Sequence, residues 1–130
     1  MNLMNVLVVA LGGALGSSAR FFLSATIQDR VQTLLPLGTI SVNILGSFLI
    51  GLVYAIIRVR AGSAEFLTLF VVVGLLGGFT TFSAFSLETL GLIEAGLFVK
   101  AALNVVVSVF CCIFAVFMGV NAGDMLIKNF

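Results

Sequence analysis

Residues 74–88 read GLLGGFTTFSAFSLE, and most of that stretch lies in a window, 66–87, that carries no charged side chain. The window therefore reads as a membrane span. Yet Gly74, Gly77 and Gly78 weaken any helix there. The Thr80–Thr81 pair that follows offers hydroxyls to unpaired backbone groups. Non-helical backbone at bilayer depth is tolerated only where protein buries it or a cavity solvates it. The stretch predicts a helix broken near residues 77–81, with the break turned toward protein or ions rather than lipid. Broken membrane helices commonly mark ion sites, because freed carbonyls bind cations and freed N–H groups bind anions.

The sequence on either side supports the membrane reading. Charge-free windows cover 1–19, 31–57, 66–87 and 101–123, which hold 19, 27, 22 and 23 residues. About 20 apolar residues are enough to cross the hydrocarbon core. The chain of 130 residues is 62% hydrophobic and 8% charged, whereas a soluble domain carries about a quarter charged residues. A soluble fold of this size could not hide so much apolar surface. The expected architecture is an all-α membrane protein of one domain, 1–130, with four transmembrane helices. Their expected limits are 3–26, 36–58, 64–94 (broken near its middle) and 97–127, with Pro36 suited to open the second. The first window lacks a basic start and reads as a span rather than a signal peptide.

Topology gives the first functional clue. With an even number of spans, the termini and the 58–65 link share one side, which carries Arg58, Arg60 and Lys128. The other side carries Arg30 and Lys100, with Arg20 near its face, so the count is three against three. Orientation follows Lys/Arg excess, and here there is almost none. Copies could insert both ways round, which makes a dual-topology antiparallel homodimer plausible. Small residues at i, i+4 (Gly12 and Gly16, Ser47 and Gly51, Gly74 and Gly78) suit close helix packing. Net charge is +1, with no basic patch, so no nucleic acid or other polyanion is implied as a partner.

Polar groups inside the spans are the candidates for function. Arg20 reads equally as a headgroup anchor and as a vestibule group that gathers anions. Asn43 is interhelical glue or a donor to a permeating anion. Asn104, Ser108 and Cys112 fall at i, i+4, i+8 and share one face of the fourth helix, as a lining or an interface. Phe82, Phe85 and Glu88 share a face if helix resumes after the break. Aromatic rings have a positive edge, and two such edges in a narrow dry path could steady a small anion without trapping it.

Taken together, GGALGSSARF (12–21), NILGSFLIG (43–51) and GLLGGFTTFSAFSLE (74–88) resemble the signature segments of the Fluc, or CrcB, fluoride channels. The third segment is the specific one, and the resemblance covers essentially the whole chain. It implies small dual-topology subunits in the bacterial inner membrane, assembled as antiparallel homodimers with two pores that let accumulated fluoride out passively. It also implies roles for individual residues. Phe82 and Phe85 would be the pore phenylalanines, with Asn43 and Ser108 as donors and Thr81 and Ser83 as hydroxyls near the break. Glu88 would lie toward a pore mouth, and Arg20 would match the arginine of the first segment. A structural sodium ion would sit on the dimer axis, held by the Gly77 and Thr80 carbonyls of each chain. The chain departs from some members at Cys112, where they carry serine, and at Asn104, where they carry an aromatic residue.

Other function classes fit less well. Histidine is absent, which removes the usual proton shuttle near neutral pH. Cys111 and Cys112 are adjacent, read as buried free thiols and do not have metal-pair spacing. With a few scattered acids, no catalytic constellation emerges. A small multidrug-type exporter, also four-span and dual-topology, needs an acid deep in its first helix. Windows 1–19 and 31–57 offer none, so Glu88 would have to serve. A structural or assembly subunit is the third reading.

Overall fold

The computed structural model describes residues 2–59 and 65–128. The described chain is helical. Helix α1 is Leu3–Val31, α2 is Leu37–Val59, α4 is Phe82–Glu94 and α5 is Phe98–Lys128. Between α2 and α4 lies α3, residues 65–79, which is α-helical over Glu65–Leu67 and Gly77–Phe79 and π-helical over Thr68–Leu76. Together α3 and α4 make one span, Glu65–Glu94, so among the described residues four helical stretches are long and apolar enough to cross a membrane. Arg60 and Ala64, used above to weigh topology and to start the third span, lie outside the described residues.

Local chemistry sets the ends. The Asn2 side chain accepts from Met4 N–H at 3.4 Å and opens α1. The helix runs on through Gln28–Val31, part of the polar link, and stops where Gln32 turns left-handed at φ 47°. Gln28 then organises the short connection to α2. Its amide donates to the carbonyls of Thr33 and Leu35 at 2.7 and 3.1 Å and accepts from Gly38 N–H at 3.2 Å. Pro36 sits just before α2, and its carbonyl accepts from Ile40 N–H at 3.0 Å.

Two seams of small residues hold the spans together. In the first, α1 lies against α3: a Cβ on Gly16 would strike the Leu75 carbonyl, and one on Gly12 the Phe70 carbonyl. In the second, α2 lies against α5: a Cβ on Gly119 would strike the Phe48 carbonyl, and one on Gly51 the Val116 carbonyl. Close backbone approach of this kind replaces the hydrophobic driving force that lipid removes. Few large side chains are buried; Val42, Leu76, Phe79 and Phe85 are among them. Outward faces such as Leu3, Leu7, Leu11 and Leu15 on α1, and Phe110, Phe114 and Phe117 on α5, are exposed and apolar. They suit contact with lipid or with a further chain.

Candidate functional site

The regular backbone of the third span stops after Phe79. Thr80 and Thr81 are extended, with φ, ψ of −89°, 155° and −150°, 121°. Gly77 and Gly78 are still helical, so the interruption is confined to the two threonines. Side chains take up several of the freed main-chain groups. The Thr81 N–H donates to Asn43 Oδ1 at 2.7 Å, and Asn43 Nδ2 donates to the Thr81 carbonyl at 3.0 Å. Thr81 Oγ1 then accepts from Ala84 N–H at 3.2 Å and caps α4, and it lies 3.2 Å from Ser83 Oγ. The carbonyls of Gly77, Gly78, Phe79 and Thr80 lose their helical donors as a result, and that of Gly78 accepts from Arg20 instead. The N–H four residues beyond Gly77 goes to Asn43, and the N–H four residues beyond Thr80 goes to the Thr81 hydroxyl.

Just past the break, α2, α4 and α5 enclose a groove of about 350 Å³. Asn43 and Ser47 reach it from α2, Thr80, Thr81, Phe82 and Phe85 from the break and α4, and Ser108 and Cys112 from α5. Ile50, Val109 and Ile113 complete the lining, and no charged side chain is among these residues. The Phe82 and Phe85 ring centroids are 5.1 Å apart and tilted by 47°. Phe85 is 8% exposed and Phe82 is 75% exposed, so one ring is fixed in the wall and the other stands at the rim. Asn43 uses one amide N–H on Thr81 and has a second to offer the groove.

A second cavity, about 610 Å³, lies on the other side of α4. Arg20, Ser24, Gln28, Asp29, Thr39 and Glu88 supply its polar lining. Arg20 Nε donates to the Gly78 carbonyl at 3.2 Å, which ties the arginine to the end of α3. The Thr39 hydroxyl, almost fully buried, donates to Glu88 Oε1 at 2.6 Å. The other carboxylate oxygen, Oε2, is buried with no hydrogen-bond partner among the described residues.

The structure thus brings Asn43, Thr81, Phe82, Phe85 and Ser108 to one groove and sets Arg20 and Glu88 in another cavity. Ser83 is exposed beside Thr81. Two further polar residues, Thr39 and Thr89, were not singled out from sequence, and Ser47 was read only as a packing residue paired with Gly51. Thr39 and Ser47 lie four residues to either side of Asn43, so α2 carries one polar face of three side chains. That spacing was the available signal.

These features can be set beside other proteins. A profile described as CrcB-like protein, Camphor Resistance (CrcB), matches residues 7–120. The chain belongs to the CrcB family. It is 50% identical over 115 residues to "Fluoride-specific ion channel FluC" of Shewanella piezotolerans, covering 88% of this chain and 92% of that one. It is 44% identical over 123 residues to the protein of the same name from Magnetococcus marinus, covering 95% of this chain and 100% of that one. The Shewanella oneidensis protein of that name is 47% identical over 115 residues, covering 88% of this chain and 92% of that one. These CrcB relatives are named as ion channels, which are not enzymes. The CrcB match spans both helix seams, the break and the groove, and the chain is a multi-pass membrane protein.

Proposed function

We propose that the chain is a fluoride channel that conducts the ion along the groove between α2, α4 and α5. One observation carries this reading. The groove joins donors from α2, α5 and the break to two tilted phenylalanine rings on α4, and no charged side chain lines it among the described residues. Fluoride is small and strongly hydrated, so a path for it must replace water with N–H, O–H and ring edges. Conduction further requires several modest sites rather than one deep trap. Asn43, Ser108, Phe82 and Phe85 meet both needs, with the Thr81 and Ser83 hydroxyls beside the break. Arg20 and Glu88, in the larger cavity, belong at a mouth of the path, where an arginine concentrates anions.

The functional unit is an antiparallel homodimer with two such paths. The near-even Lys/Arg distribution supports dual insertion, and the exposed Phe82 leaves the groove's rim open in a single chain. A two-fold axis beside the break would bring the Gly77 and Thr80 carbonyls of both copies together. These carbonyls lack their helical donors, and oxygen donors suit a hard cation such as sodium, held as a structural ion. In the bacterial inner membrane, such a channel lets accumulated fluoride leave the cytoplasm passively.

The test is fluoride efflux from liposomes containing the purified protein, run beside chloride. Fast fluoride efflux without a proton gradient, exceeding chloride efflux, is the expected result. Proton-coupled export of a lipophilic cation in place of fluoride flux would overturn the proposal.

A further inference from the structure

One polar chain runs through the groove's wall in a single direction. The Thr89 hydroxyl donates to the Phe85 carbonyl at 2.7 Å, so its proton is committed and its oxygen can only accept. It accepts from Asn104 Nδ2 at 2.8 Å. That bond fixes the orientation of an amide that is 1% exposed, and it leaves Oδ1 as the atom facing Ser108. An amide oxygen accepts only, so the Ser108 hydroxyl donates to it, at 3.4 Å. The order of donors and acceptors from Ser108 to Phe85 is therefore set by chemistry, not by choice of flip. Both ends of the chain line the groove.

We infer that Asn104 is a positioning residue that holds the Ser108 proton away from the groove between passages of the ion. The inference rests on the channel reading above. With no anion nearby, Ser108 donates to Asn104 and turns its lone pairs toward the path. An arriving anion draws the hydroxyl round, and the departing ion returns it. A 3.4 Å bond lies beyond the usual O–H···O range and is easily given up. It still offers the proton a place to go, so Ser108 is not left seeking the ion. Such a resting acceptor keeps the site shallow, as conduction requires.

The experiment is fluoride efflux from liposomes, with rate measured against internal fluoride for the unsubstituted protein and for Asn104→Leu, Thr89→Val and Ser108→Ala, alone and combined. Asn104→Leu removes the acceptor, so the half-saturating fluoride concentration falls about threefold and the maximal rate falls with it. Thr89→Val frees the amide to turn its NH₂ toward Ser108 and gives a smaller shift of the same sign. Both shifts vanish on the residual flux of Ser108→Ala, because Asn104 acts through that hydroxyl; a purely structural role would leave them in place. Unchanged half-saturation in assembled Asn104→Leu, or shifts that persist without Ser108, overturn the inference. Should Asn104→Leu not assemble, Thr89→Val decides alone by whether half-saturation moves. Absence of fluoride flux from the unsubstituted protein overturns the channel reading and this inference together, whereas saturable flux with unshifted half-saturation overturns the inference only.

Discussion

The Asn43 side chain is bonded to the main chain of Thr81 twice, accepting at 2.7 Å and donating at 3.0 Å. An amide on α2 thereby does for Thr81 what a neighbouring turn of helix would otherwise do. Asn43→Leu keeps the side chain's bulk and leaves both main-chain groups unpaired. Each unpaired group costs about 1–3 kcal/mol, so the expected loss for the two is about 2–6 kcal/mol. Thermal unfolding in detergent measures it, and fluoride flux should fall in parallel. A variant as stable as the parent would show that the pairing contributes little.

The two phenylalanines should respond differently to the same change. Phe82→Ile and Phe85→Ile both remove a ring edge and should each cut fluoride flux by about tenfold or more, equivalent to the loss of about 1.4 kcal/mol. Only Phe85 is buried, so only Phe85→Ile should also lower stability, by about 1 kcal/mol. Flux and melting temperature measured on the same preparations separate the two effects. Unchanged flux in both variants would remove the rings from the mechanism.

The glycine seams predict a sharp contrast within one residue type. Gly16→Ala and Gly119→Ala each push a methyl group into the backbone of a neighbouring helix, which should destabilise by about 1–3 kcal/mol or more. Gly91 has nothing within 4 Å of a built Cβ, so Gly91→Ala should be neutral or gain about 0.5–1 kcal/mol in helix stability. Yield of monodisperse protein and thermal midpoints check the series.

Gln28 fastens the turn between α1 and α2 through three hydrogen bonds. Gln28→Leu should loosen residues 33–38 and lower stability by about 1–3 kcal/mol. Hydrogen exchange should report the change at the Gly38 N–H first. Equal protection in both proteins would count against the role.

Charge spacing made the four spans legible in the sequence, because Arg20, Asp29, Arg30, Arg58, Glu65, Glu88, Glu94, Lys100 and Asp124 frame them. The π-helical stretch Thr68–Leu76 was not legible. After Thr68 its residues are apolar, and nothing in TLFVVVGLL separates that winding from an ordinary helix. The polar residues show the same limit in another form. Spacing put Asn104 and Ser108 on one face, but their bonding order depends on Thr89, on a different helix. Thr39 likewise has meaning only once Glu88 lies opposite it. Periodicity says which side chains share a side of a helix; it does not say which side chain of another helix will meet them.

Interrupting the third span gives α4 a mechanical independence that no full-length span has. This half-helix is fastened at Thr81 to Asn43, at Glu88 to Thr39 and at Thr89 to Asn104. The groove's wall is thus aligned by directional polar joints, each with its own angle and reach, rather than by interchangeable grease. Evolution can redecorate the outer surface with little consequence for the ion path, while a single lost joint would tilt the whole segment and misalign every ring it carries.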